Sequence, residues 1–120
     1  MNNPQPAPPP LELTSRQRDW MMLAAYLHLE QHKADKAGAL LRLVHRAFPD
    51  DAEAQRCLAL AELMNGAPVA AARAATRAFK QAEGKLRVPV GLVFAKALWD
   101  QGSHEAARDF LATLLTNDRR

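Results

Sequence analysis

The sequence predicts an all-α fold in which pairs of antiparallel helices repeat along the chain. Its 120 residues contain only five glycines and 48% hydrophobic residues, a composition that suits one small globular domain. Alanine is frequent and β-branched residues are few, so intrinsic propensity favours helix over strand. A repeat period is the third observation, and it organises the fold.

Residues of similar size recur at intervals of 34 and then 36 positions. The recurring sets are Ala25, Ala59 and Ala95; His32, Gly66 and Gly102; Ala37, Ala71 and Ala107; and Val44, Ala78 and Leu114. A period of ~34 residues is typical of tetratricopeptide repeats, each of which is a helix–turn–helix unit. The sequence therefore predicts three tetratricopeptide-like repeats that form a short right-handed solenoid with a concave groove.

Turn and capping signals place the elements in order. Prolines concentrate in residues 4–10, so we predict a disordered Pro-rich tail over 1–12 and a repeat domain over 13–120. Thr14 and Gln17 have the spacing of a capping box, which starts the first helix. The predicted helices span about 15–31, 34–47, 51–64, 67–83, 89–101 and 103–117. They form repeats over about 15–49, 51–84 and 88–117, with a longer connection before the third.

Charge and cysteine content bear on the cellular compartment. The net charge is +3 and the pI is about 9.4, without the long run of like charges that marks a basic tail. Cys57 is the only cysteine, so no intramolecular disulfide can form, and we expect a cytoplasmic protein. The longest apolar run, Trp20 to Leu27, is shorter than the ~20 residues of a membrane-spanning helix, so we expect no direct membrane insertion.

The first helix of each repeat is expected to line the concave groove. The repeat frame places a mainly apolar set there, with two cations. The predicted lining residues are Met22, Tyr26, Leu29, Arg56, Leu60, Leu63, Met64, Leu92, Lys96 and Trp99. Such a lining suits an amphipathic helix or an extended apolar segment of a partner protein, although each side chain has the alternative of lying in the core.

The first predicted helix is apolar on every side over residues 20–29. A terminal helix of a solenoid should carry a polar outer face, because no further repeat covers it. The cover here has three candidates: the Pro-rich tail, a second copy of this chain, or a different protein. We favour a different protein, since apolar patches of this size mark interaction sites.

Catalytic and metal-binding patterns are weak throughout. His28 and His32 have metal-ligand spacing, but no third ligand accompanies them, so two ordinary histidines are the better interpretation. Cys57 has no activating base in its neighbourhood and is interpreted as a core residue. Asp50, Asp51 and Glu53 are interpreted as a helix cap with first-turn acids, and not as an acid/base pair. We therefore expect no enzyme, no metal and no cofactor.

Basic residues at Arg73, Arg77 and Lys80 form a stripe along the fourth predicted helix. Nucleic-acid grooves usually interleave aromatic residues with basic ones, and none lies beside this stripe. A solvated convex face is the favoured interpretation, so we expect no nucleic acid as partner. A nucleic-acid or membrane-surface binder remains the alternative, and steep salt dependence would mark it.

From residue 13 onward the chain resembles the Y-type chaperones of bacterial type III secretion systems (the YscY/SctY family). The match falls in register without gaps over positions 13–57. The matching residues are Leu13, Thr14, Arg16, Gln17, Leu23, Leu27, Leu29, Ala37, Leu40, Leu41, Pro49, Arg56 and Cys57. Ala25 and His32 stand where the family pattern has glycine, and Tyr26 stands where it has tryptophan.

The resemblance implies a virulence-associated protein-transport chaperone that forms a heterodimer with a small secreted X-type partner. The pair would dock on the cytosolic domain of the export gate at the inner membrane, for export of early substrates. The resemblance places the X-partner contact at Trp20, Leu23, Tyr26, Leu27, Leu29 and Arg56. A homodimer without the partner, and a needle-subunit or translocator chaperone of the same machinery, are the alternatives.

Overall fold

The computed structural model describes residues 11–118, with side chains described for residues 11–116. Residues 1–10 of the tail predicted over 1–12 lie outside the described part. Six α-helices span Ser15–Glu30 (α1), Ala34–Ala47 (α2), Ala52–Met64 (α3), Pro68–Gln81 (α4), Arg87–Asp100 (α5) and His104–Asp118 (α6). No strand occurs within residues 11–118, so the predicted all-α class is confirmed.

Local sequence signals account for where the helices begin. The Thr14 hydroxyl accepts a hydrogen bond from the Gln17 N–H at 3.1 Å, and the Gln17 side chain accepts one from the Thr14 N–H at 2.9 Å. This confirms the predicted capping box. The predicted cap of α3 is confirmed, and the structure assigns it to Asp51, which accepts from the Ala54 N–H at 3.1 Å. Pro68 occupies the first turn of α4, where its missing N–H costs nothing.

Three turns with the same backbone geometry follow α1, α3 and α5. His32, Gly66 and Gly102 all adopt a positive φ, of 59°, 74° and 88°. Each donates its N–H to the carbonyl three residues earlier, at 3.1, 3.0 and 2.9 Å. Glycine enters this left-handed region without strain, whereas an L side chain such as that of His32 does not.

Consecutive helices pack against each other, and small residues line their contacts. In addition, α3 contacts α1 as well as α2, and α5 contacts α3 as well as α4. Ala25, Ala59 and Ala95 are 1%, 0% and 3% exposed, which lets neighbouring helices approach closely. The connection before α5 is longer, as predicted, and contains a short 3-10 helix over Gly84–Leu86. Within residues 11–118, no helix has both the length and the apolar character needed to cross a bilayer.

Candidate functional site

One face of α1 carries large apolar side chains in contact with solvent. Trp20 is 63% exposed, and Leu23 and Leu27 are each 50% exposed. Their spacing places them on one side of the helix. Met22 and Ala25, by contrast, are 3% and 1% exposed and belong to the core. Trp20, Leu23 and Leu27 are hereafter called the outer face of α1.

The positions that correspond to the outer face in α3 and α5 are buried. They lie 34 and 70 residues further along the chain. They are Ala54, Cys57 and Ala61 in α3, and Val90, Val93 and Ala97 in α5, with exposures between 0% and 8%. In α3 and α5 this face packs on the helices that come before it, whereas no helix precedes α1 within the described residues. The outer face therefore corresponds to a packing face, and no element among residues 11–118 packs on it.

A polar network joins α1 to the start of α3. The Arg18 guanidinium donates to both carboxylate oxygens of Asp51, at 2.8 and 3.1 Å, and to Glu53 at 3.0 Å. The Tyr26 hydroxyl donates to the other oxygen of Glu53. The fork of the guanidinium matches the carboxylate geometry, so this contact fixes the position of α3 against α1.

The same contacts shift the pKa values of the groups involved. The hydrogen bond from Tyr26, assisted by Arg18, lowers the pKa of Glu53. Burial, and then the bond to Glu53, raises the pKa of Tyr26. Burial also raises the pKa of the Cys57 thiol, so it is not an activated nucleophile. These groups hold α1 and α3 together.

A second apolar surface lies between α5 and α6, at the opposite end of the helix order. It is a cleft of about 350 Å³, lined by Leu92, Ala95, Lys96, Trp99, Ala107, Arg108 and Leu111. The Trp99 ring stacks on His104 with a centroid distance of 4.1 Å, and the Arg108 guanidinium lies 5.9 Å from the Trp99 ring. Lys96 pairs with Asp100 of the same helix at 2.7 Å. The cleft is thus apolar at its base and cationic at its rim.

The structure places the predicted groove residues in different surroundings. Three of them, Leu92, Lys96 and Trp99, line the α5–α6 cleft. Met22 lies in the core, and Met64 is 45% exposed. The remainder are half-buried: Tyr26, Leu29, Arg56, Leu60 and Leu63. The four apolar members of this half-buried set, Tyr26, Leu29, Leu60 and Leu63, pack against the core.

Two residues of the cleft, Arg108 and Leu111, were not singled out from the sequence. Leu111 lies 36 residues after Ala75 and 70 after Leu41, which are both fully buried. The repeat period was therefore the signal that marks this position as a packing face. Its exposure depends on whether another helix packs against α5 and α6, which a residue type does not reveal.

The basic stripe of α4 faces solvent, since Arg73, Arg77 and Lys80 are all exposed. Beside it, burial and the nearby Arg77 charge lower the pKa of His45. Within residues 11–116, no group of three His, Cys, Asp or Glu side chains is placed to hold a metal ion. No protein-family model matches the chain, and no curated protein resembles it significantly.

Proposed function

We propose that this chain is a cytoplasmic Y-type chaperone of a type III secretion system, built from three tetratricopeptide-like repeats. It binds and stabilises a small secreted X-type partner, and the pair is recruited to the export gate at the inner membrane. The outer face of α1 is the observation that carries this proposal. The resemblance over positions 13–57, which covers α1 to the first turns of α3, adds the identity of the partner.

The outer face fits protein capture better than any other role. Trp20, Leu23 and Leu27 are large and apolar, and Trp20 and Leu23 form a shallow pocket with Arg16 and Asp19. An apolar patch with a charged edge is typical of a protein-binding site. Aromatic anchors such as Trp20 are common among the residues that dominate binding energy.

The mechanism is burial of this face under an apolar helix of the partner. Burial contributes about 25 cal/mol per Å² of apolar surface removed from water, less the cost of ordering the partner. Each protein alone would leave its apolar surface in water. We therefore expect both to be less soluble apart than together.

Co-expression with the X-type protein tests this proposal. Size-exclusion chromatography with light scattering should give a stable heterodimer for the natural chain. The double variant Leu23→Glu/Leu27→Glu should abolish it, because two carboxylates would be buried without partners. Both leucines are 50% exposed, so the variant should still fold, which circular dichroism would check.

The matched control is Leu43→Glu/Leu115→Glu, which changes two leucines that are 39% and 48% exposed on α2 and α6. It should leave the heterodimer intact. If the heterodimer still formed with the Leu23→Glu/Leu27→Glu variant, the outer face of α1 would not be the binding surface. Binding of a needle subunit or a translocator instead of the X-type protein would assign the chain to another chaperone of the same machinery.

A further inference from the structure

The α5–α6 cleft occupies a position that is filled elsewhere in the molecule. Between α1 and α2, the corresponding position is covered by α3, which contacts both helices. Between α3 and α4 it is covered by α5, which again contacts both. No helix covers the position between α5 and α6 within the described residues.

Residues of the first and last positions correspond at an interval of 70. Leu92 corresponds to Met22, and Trp99 corresponds to Leu29. Under α3, Met22 is 3% exposed and Leu29 is half-buried. In the uncovered cleft, Leu92 is 48% and Trp99 is 44% exposed. The cleft thus corresponds to positions that receive a helix elsewhere in the molecule, and no described helix covers it.

The two helices that fill the inner positions share one pattern. Each presents short apolar residues at the first, fourth and eighth places of its contact face: Ala54, Cys57 and Ala61 in α3, and Val90, Val93 and Ala97 in α5. Short side chains let the helix sit deep between the two helices that receive it. The occupant of the cleft should carry the same pattern.

The cationic residues at the rim of the cleft further restrict the sequence of the helix that it could bind. In α3, Glu53 comes just before Ala54 and accepts the hydrogen bond from Tyr26. The position of Tyr26 is taken in the cleft by Lys96, which is exposed. Arg108, also at the rim, has no carboxylate within ion-pair distance among the described side chains. An acidic residue at the place of Glu53 would therefore lie beside Lys96 and compete with Asp100 for it, with Arg108 as a second cation at the rim of the cleft.

We propose that the α5–α6 cleft binds an amphipathic helix of a partner protein, one with an acidic residue followed by short apolar residues at the first, fourth and eighth places. A second copy of this chain fits less well, because its outer face presents Trp20, Leu23 and Leu27 where the inner helices have Ala, Cys or Val. The segment over residues 4–10 fits less well too, because its prolines oppose a helix.

This site lies beyond the proposed function, at the other end of the helix order from the outer face of α1. The test uses a probe that already has the required pattern. It is a capped, fluorescein-labelled, lactam-stabilised peptide with the sequence of residues 51–66, in which Cys57→Val removes the thiol. Fluorescence anisotropy measures its binding to the full chain.

The natural chain should bind the peptide, and Leu92→Glu should weaken binding by at least about tenfold. Lys96→Glu should weaken it similarly, and a peptide carrying Glu53→Lys should restore binding to that variant. Leu115→Glu, an exposed leucine of α6 outside the cleft, is the control and should bind as the natural chain does. A scrambled peptide should not bind.

The proposal would be overturned if the Leu92→Glu and Lys96→Glu variants bound the peptide as tightly as the natural chain. It would also be overturned if the natural chain did not bind the peptide at millimolar protein. Concentration-dependent oligomers that Trp20→Glu and Leu92→Glu each abolish would assign the cleft to a second copy instead. The variant Leu23→Glu/Leu27→Glu should still bind the peptide. Failure of this site is therefore distinguishable from failure of the X-partner complex.

Discussion

The hairpins α1–α2 and α5–α6 present corresponding positions to very different surroundings. Leu41 of the first hairpin is 0% exposed, whereas Leu111 of the last is only half-buried. Ala37 and Ala107, deeper in the same positions, are 0% and 2% exposed. The difference arises at the rim, where α3 covers the first hairpin and nothing described covers the last. Exposure in this molecule is thus set by the next helix more than by the residue.

Polar contacts also join the first hairpin to α3. The last hairpin makes no equivalent polar contacts to another helix among the described residues. Arg18 and Tyr26 reach across to Asp51 and Glu53 at the start of α3. In the last hairpin the residue corresponding to Tyr26, Lys96, turns back to Asp100 of its own helix. The first hairpin is therefore held against α3 by apolar contacts and by the polar network of Arg18, Tyr26, Asp51 and Glu53, hereafter called the clasp. Mutations can remove the apolar contacts and the clasp separately.

The largest expected difference in the free energy of unfolding is between truncating Leu41 in the first hairpin and truncating Leu111 in the last. Leu41→Ala should destabilise the protein by about 2–5 kcal/mol, because it leaves a cavity under α3. Leu111→Ala should cost under about 1.5 kcal/mol, because solvent already reaches the site. Urea unfolding followed by circular dichroism measures both. Equal losses would mean that the last hairpin is covered as well as the first.

The clasp gives the next effect in size. Arg18→Met should cost about 1.5–3 kcal/mol, because it removes hydrogen bonds to charged groups and leaves two carboxylates facing each other. Lys96→Met is the control, since it breaks an exposed pair within one helix, worth about 0.3–0.5 kcal/mol. Thermal unfolding of both variants at low and high salt would check the ranking. Indistinguishable losses would show that the clasp contributes no more than a surface pair.

The smallest effect is a pH dependence that belongs to the first hairpin alone. The pKa of Glu53 is lowered in the folded state from its ordinary value of 4.5, because Tyr26 and Arg18 stabilise the carboxylate. Its contribution to stability is therefore present above pH 4.5 and is lost as the pH falls through the lowered pKa. Glu53→Gln should flatten this part of the stability profile below about pH 4.5.

Equilibrium unfolding across that pH range measures the effect. Glu105→Gln, which alters an exposed carboxylate in the first turn of α6, should leave the profile unchanged. Parallel profiles for the natural chain and Glu53→Gln would place the acid sensitivity elsewhere in the molecule.

Much of the secondary structure was predictable, because its signals are local. The bounds of all six helices agree with the prediction to within about two residues, the usual uncertainty of such boundaries. Thr14 and Gln17 start α1 as a capping box, and Gly66 and Gly102 supply left-handed turns. These features depend on residues that are close in the chain, so sequence patterns reveal them.

The surfaces were less predictable, because they depend on which helix covers which. Met22 was placed in the groove by the repeat frame, yet it lies in the core. The clasp joins Arg18 to residues 33 and 35 positions away, and no local pattern links them. His32 adopts the positive φ of its glycine counterparts, which only the period indicated. The predicted solenoid arrangement and the X-type partner remain proposals.

The reactivity of Cys57 can report how often α1 and α3 separate. It is the only thiol in the chain, it is 0% exposed, and its side chain lies on the face of α3 that packs on α1 and α2. A water-soluble disulfide reagent can reach it only when the helices separate, so the labelling rate counts those openings. A protein bound on α1 would lower the labelling rate of Cys57, so this buried thiol would detect binding at the surface of α1.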